Sequence, residues 1–156
     1  MKQRVYLETT IPSYLTARPS RDIVRAAEQE VTRAWWASRE RFDLYISDLV
    51  ADEVAAGDPE AAVQRIQALV GIPLLEMTPE AQTLGTELLK RAALPARAAI
   101  DALHISIAAV HGIDYLLTWN CKHIANATMR SKIESVCRTL RIEPPIICTP
   151  MELLEE

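Results

Sequence analysis

Residues 114–120 read Asp-Tyr-Leu-Leu-Thr-Trp-Asn, and this stretch decides the fold. Tyr115, Leu116 and Leu117 follow one another without a polar alternation. A strand with one wet face alternates, whereas an unbroken apolar run marks a strand covered on both faces, as in a parallel sheet. Parallel strands need long crossover connections, usually helices. The rest of the chain should therefore alternate strands with helices.

Upstream, residues 98–111 form a strongly apolar helix that Gly112 stops. The helix before it opens on Thr78-Pro79-Glu80-Ala81, a cap followed by proline, with Leu84, Leu88 and Leu89 as its face. Residues 72–75 suit a short strand. Asp58-Pro59 opens a helix after the stop at Gly57, carrying Ala62, Ile66, Leu69 and Val70. Residues 42–47 hold a strand centred on Leu44, Tyr45 and Ile46, and Ser47-Asp48 caps a helix to about Ala56. Residues 4–7, Arg-Val-Tyr-Leu, are the first strand, broken by Thr9-Thr10 and Pro12. A helix from Ser20 to about Glu40 follows, with Asp22 in its first turn. Its spacing puts Val24, Ala27, Val31 and Ala34 or Trp35 on the buried face. Trp35 and Trp36 are consecutive, so one packs inside and the other is left for an interface. Downstream, Asn126 caps a helix to Leu140 with Ile133, Val136, Cys137 and Leu140 on one face. Pro144-Pro145 leads to a last strand at 146–148, and Thr149-Pro150 opens a short terminal helix. With no linker and no repeat, residues 1–156 are expected to form one α/β domain around a mostly parallel sheet.

Composition excludes several functions. There are 17 Lys+Arg against 21 Asp+Glu, a net charge of −4, so the chain is not built to coat nucleic acid nonspecifically. The glycines, Gly57, Gly71, Gly85 and Gly112, lie too far apart to cradle a phosphate, which removes a P-loop or a dinucleotide fingerprint. Cys121, Cys137 and Cys148 form no C-x-x-C, so neither a zinc ribbon nor a disulfide framework is expected. Scattered thiols fit a reducing, cytoplasmic setting. The first 15 residues lack the apolar stretch of a secretory leader, and no apolar run reaches the roughly 18 residues of a membrane span.

In parallel sheets, sites form beyond the carboxyl ends of the strands. Glu8 directly follows strand 4–7, and Asn120 stands two residues past Thr118. Glu53 and Asp101 lie in the early turns of helices that can point to the same edge. Converging carboxylates repel and need protons or cations. All-oxygen donors select Mg²⁺ or Mn²⁺ over zinc, and such ions assist displacement at phosphorus. Each acid has a plainer reading as a helix cap or a solvated charge, and for Asp101 that reading is capping at a helix N-terminus. His104, three residues on, reads as a core histidine or as a group orienting a carboxylate. His111 and His123 read as surface residues.

Four blocks make the chain resemble a known family. They are Val5-Tyr6-Leu7-Glu8-Thr9-Thr10, Ile46-Ser47-Asp48-Leu49-Val50-Ala51-Asp52-Glu53, Asp101-Ala102-Leu103-His104-Ile105, and Leu116-Leu117-Thr118-Trp119-Asn120-Cys121-Lys122-His123-Ile124. They look like the PIN domain, and within it most like the VapC-type toxins of bacterial toxin–antitoxin modules. Residues 147–153, Ile-Cys-Thr-Pro-Met-Glu-Leu, match the closing pattern. The resemblance implies a three-layer sandwich with a five-stranded sheet, a Mg²⁺- or Mn²⁺-dependent endoribonuclease, a homodimer, and a separate small antitoxin that blocks the site. Carried over by position, Glu8, Glu53 and Asp101 are metal ligands, Asn120 stands where many members have a further Asp and joins the metal set by orienting a water or a phosphate oxygen, and Thr118 supplies a supporting hydroxyl. Glu8 replaces the usual Asp and reaches about 1.5 Å further. Asn120 removes a charge but keeps an oxygen acceptor. A first cation should therefore be held more firmly than a second.

RNA contact needs local cations. Arg18, Arg21 and Arg25 at the start of the first long helix, Arg91 and Arg97 before Asp101, and Lys122 after Asn120 are the candidates, with Arg18, Arg97 and Lys122 foremost. The competing reading of the whole chain is a catalytically impaired PIN-fold module that binds RNA or protein. A phosphatase-like α/β domain fits less well, since no strand-end Asp-x-Asp is present.

Overall fold

Val5, Tyr6 and Leu7 are fully buried, and so are Leu116 and Leu117. Successive residues of a strand face opposite sides, so both faces of the sheet centre are covered. The computed structural model describes residues 1–92 and 94–155. The strands are β1 Arg4–Leu7, β2 Asp43–Ser47, β3 Leu74–Leu75, β4 Tyr115–Leu117 and β5 Ile146–Cys148. All pair in parallel, in the order β3-β2-β1-β4-β5. The helices among the described residues are α1 Thr10–Thr16, α2 Ile23–Ala37, α3 Asp48–Ala55, α4 Pro59–Ala68, α5 Pro79–Arg91, α6 Ala99–Val110 and α7 Ala127–Thr139. This is the three-layer α/β sandwich with five parallel strands that the sequence implies. No helix among the described residues is long and apolar enough to cross a membrane.

The order of strands places the site. The chain steps outward from β1 to β2 to β3, then crosses back through α5 and α6 to β4 on the other side of β1. The loops after β1 and β4 therefore diverge at the switch point, where parallel sheets leave a crevice. Tyr6 pairs with Leu116 and Leu7 with Leu117. The Glu8 N–H donates to the Leu117 carbonyl at 3.1 Å, extending the ladder by one residue. Glu8 and Thr118 thus leave the sheet side by side.

Most caps fall where the sequence puts them. Ser47, Asp58, Thr78 and Asn126 each accept a backbone N–H at the head of their helix. Thr149 opens a short 3-10 turn over Pro150–Leu153 with Glu152 completing a reciprocal cap. Gly112, at φ 66°, ends α6 and turns the chain into β4. Gly85 lets α5 approach α6 closely, since a Cβ there would lie 2.9 Å from Cδ2 of Leu103.

Three expectations need correction. Thr9-Thr10 and Pro12 do not simply break the chain, because residues Thr10–Thr16 are helical. Pro12 sits in the first turn, where its missing N–H would have no partner anyway. The second correction is the start of α2: Asp22, not Ser20, is its cap, accepting from the Arg25 N–H at 2.8 Å. The third is its buried face: Trp35 is buried as the spacing expects, but it is joined by Gln29 and Thr32 and not by Val24, Ala27 and Val31. Ile23 and Val24 are exposed, at 83% and 62%. With Ala27, Val31, Trp119 and Met151 they line an open apolar groove. Of the tryptophans, Trp35 is the packed one, while Trp36 is half-buried under the Arg39 guanidinium, 4.6 Å above its ring. On α4, Ala62 and Leu69 at its end face inward, but Ile66 and Val70 are exposed.

Candidate active site

The β1 loop delivers Glu8, which is 4% exposed. Its Oε1 accepts three hydrogen bonds: from the Thr118 hydroxyl at 2.6 Å, the Thr10 hydroxyl at 2.5 Å and the Thr10 N–H at 3.1 Å. Each threonine oxygen also accepts a backbone N–H from the β4 loop, Thr118 that of Asn120 at 2.9 Å and Thr10 that of Trp119 at 2.8 Å. Two hydroxyls thus strap the diverging loops together and anchor one carboxylate between them. The Trp119 indole fixes the same loop from the far side. Its N–H donates to Thr32 at 2.8 Å, and its ring stacks on Tyr14, which Arg25 covers in turn.

Glu53 reaches the crevice from α3. Its Oε1 accepts from the Thr9 hydroxyl at 2.9 Å and lies 2.6 Å from Nε2 of His104. Burial alone would raise its pKa, but the His104 contact and the Thr9 hydroxyl outweigh burial and hold it below the ordinary carboxylate value. Asp101, in the first turn of α6, accepts at Oδ1 from the Asn120 carboxamide at 3.1 Å. Burial pushes its carboxyl above the usual value; His123 and His104 oppose this, and the negative Glu8 and Glu53 add to it. The Asp101 carboxyl thus feels the charge of both other acids, though burial outweighs them.

The three carboxylates follow a common pattern. Each has one oxygen held by protein donors: Oε1 of Glu8, Oε1 of Glu53 and Oδ1 of Asp101. No hydrogen bond among the described residues reaches the other oxygen of any of them. The donor set is hard oxygen, which fits Mg²⁺ or Mn²⁺. No three His, Cys, Asp or Glu side chains among the described residues stand close enough to be a ready cage. Asn120 turns its carbonyl oxygen to the His123 N–H at 3.2 Å and its amide to Asp101. In this geometry it braces Asp101.

Several residues around the crevice went unassigned in the sequence. Thr9 and Thr10 read as chain breakers, and Tyr6 only as part of the first strand. His123 read as a surface residue, yet it is half-buried and its charge bears on Asp101. His104 is 1% exposed and joins both readings given for it, being a core residue that also touches a carboxylate. Arg18, Arg97 and Lys122 are exposed. Arg91 is paired with Glu87 at 2.6 Å on α5.

No family model matches the chain, and no curated protein is significantly similar to it. Solved structures do match. VapC20 of Mycobacterium tuberculosis, a toxin that cleaves the sarcin–ricin loop, superposes with a TM-score of 0.61 at 17% identity, covering 79% of this chain and 95% of that one. VapBC2 of Rickettsia felis, solved on a DNA fragment from its promoter, gives a TM-score of 0.56 at 15% identity, covering 94% and 98%. At that identity the likeness is one of fold: this chain carries the PIN-like α/β architecture of the VapC toxins.

Proposed function

We propose that this protein is a Mg²⁺- or Mn²⁺-dependent endoribonuclease, the toxin of a toxin–antitoxin pair. What supports the reading is that Glu8, Glu53 and Asp101 stand beside the switch point of a VapC-like sheet, each with one oxygen anchored by donors and the other without a hydrogen bond among the described residues. Glu8, Glu53 and Asp101 would hold the cation, which supplies charge neutralisation at the scissile phosphate. Asn120 and Thr118 keep Asp101 and Glu8 in place. Asp101 accepts a proton from the attacking water as the new bond to phosphorus forms; the bridging oxygen leaves and takes a proton from solvent. Arg18, Arg97 and Lys122 contact phosphates along the strand.

The likeness to VapBC2 supports a separate small antitoxin as partner. A homodimer acting in the cytoplasm completes the reading. Cleavage of RNA with Mn²⁺ is expected to fall about 10²- to 10⁴-fold in Asp101→Asn and to stop in EDTA. Equal cleavage in EDTA, or by the variant, would overturn the reading. A folded protein that binds RNA and Mn²⁺ but cleaves nothing would point to the binding module instead. For the phosphate contacts, replacing Arg18 and Lys122 together by alanine should reduce the salt slope of single-stranded RNA binding by about 1.4. An unchanged slope removes both residues from the interface.

A further inference from the structure

Beneath Glu53 runs a buried polar chain. Oγ of Ser47 lies 2.7 Å from Oη of Tyr6, which lies 2.6 Å from Nδ1 of His104. Nε2 of His104 lies 2.6 Å from Oε1 of Glu53. Ser47 and Tyr6 are fully buried and His104 is 1% exposed. The three come from the end of β2, the middle of β1 and the second turn of α6, so the chain crosses the core from strand to helix.

The protons can run along this chain in two directions, and burial separates them. In one, Ser47 donates to Tyr6, Tyr6 donates to Nδ1, and the Nε2–H donates to Glu53. Ser47 still accepts the Val50 N–H at 3.4 Å, and every proton has an acceptor. In the other, Nδ1–H donates to Tyr6 and Tyr6 donates to Ser47. The Ser47 proton is then left with no acceptor among the described residues, in a site without water access. Buried polar groups are hydrogen-bonded in folded proteins, and an orphaned donor is the costly exception. The first direction satisfies all four groups.

We infer that Ser47, Tyr6 and His104 are positioning residues. They form a one-way hydrogen-bond relay that fixes His104 as an Nε2–H donor and so aims the Glu53 carboxylate at the crevice. This rests on the metal reading above. Partners behind a ligand fix its orientation, and their loss typically weakens metal binding about 10- to 100-fold. The relay anchors Oε1 of Glu53 together with Thr9, leaving the other oxygen for the cation.

The test uses Mn²⁺ alone, titrated by electron paramagnetic resonance, with thermal melts to verify folding. His104→Leu should bind Mn²⁺ about 10- to 100-fold more weakly. His104→Gln, which keeps an N–H donor at similar reach, should recover most of that loss. In metal-free protein labelled with ¹⁵N-histidine, His104 should carry its proton on Nε2 with Nδ1 bare, and Tyr6→Phe should erase that preference. A native signal from Nδ1–H overturns the relay. So does Mn²⁺ affinity in His104→Leu equal to that of the native protein. A native protein that takes up no Mn²⁺ overturns the metal reading, and with it this role.

Discussion

Glu53 and Asp101 sit in different environments, and their opposite responses to pH can be measured. Asp101 lies above the ordinary carboxylate value, because of burial and because Glu8 and Glu53 are negative nearby. A carboxyl raised in the folded state favours folding while it is protonated, and that contribution is lost as pH rises through the folded value. Glu53 lies below the ordinary value, so its contribution is present above the unfolded carboxyl value and lost as pH falls through the folded one. An asparagine at 101 has no proton to lose and can still accept from Asn120. In EDTA, Asp101→Asn should therefore melt higher than the native protein at pH 7. The difference should vanish at pH 3. A variant that melts lower at pH 7 would mean that burial and the nearby acids do not raise the Asp101 carboxyl. The positions of Glu8 after β1 and Asp101 in the first turn of α6 were legible, because strand ends and helix starts are visible in sequence. Of the residues that hold them, Thr118 and His104 were named in the sequence, whereas Thr9 and Thr10 look only like turn formers, and the register of β1 against β4 is what brings Thr118 to Glu8.

Helix α2 shows where periodicity misleads. Its apolar residues repeat correctly, yet the side that packs is Gln29, Thr32 and Trp35. The polar members of that face are satisfied locally. Gln29 holds the preceding loop by accepting the Ser20 N–H at 2.9 Å and donating to the Arg18 carbonyl at 3.1 Å. Thr32 donates to the Glu28 carbonyl and accepts the Trp119 indole N–H. Polar side chains that find partners can occupy a buried face, and the apolar stripe is then free to face outward. Stability measurements on the isolated chain can separate the two faces. Val24→Lys should change stability by no more than about 0.5 kcal/mol, as at ordinary surface sites. Trp35→Ala should cost about 3–5 kcal/mol through the void it leaves. A large loss in Val24→Lys would restore the face expected from spacing. The strands and the later helices were legible because their caps and their apolar runs agree. Helix α1 was not, since a seven-residue helix beginning Thr-Ile-Pro has too few turns to show a period.

At the scale of the whole molecule, the charge of −4 takes on a different meaning under the proposal that Glu8, Glu53 and Asp101 hold one cation. A cation held there binds the folded chain only, since the unfolded chain scatters Glu8, Glu53 and Asp101 over more than ninety residues of sequence. Binding to the native state alone stabilises it by RT ln(1 + [L]/Kd), about 2.7 kcal/mol at a hundred times Kd. The thiols offer a probe distant from the ligands. Cys148 is buried on β5, at the sheet edge opposite β3, and burial pushes its thiol up to about 12. Cys137 is buried on α7, its thiol pushed by burial to about 11. Cys121 is exposed. A thiol reagent at pH 8 should therefore label one cysteine per native chain quickly and all three after denaturation. Because β5 is hydrogen-bonded into the central sheet beside β4, Cys148 should react only when the fold opens as a whole. Its labelling rate should then drop about 100-fold when Mn²⁺ is raised to a hundred times Kd, the factor that 2.7 kcal/mol represents. Labelling of Cys148 that ignores Mn²⁺, in a protein shown to bind it, would mean that β5 opens locally and that the site and the sheet edge are energetically separate.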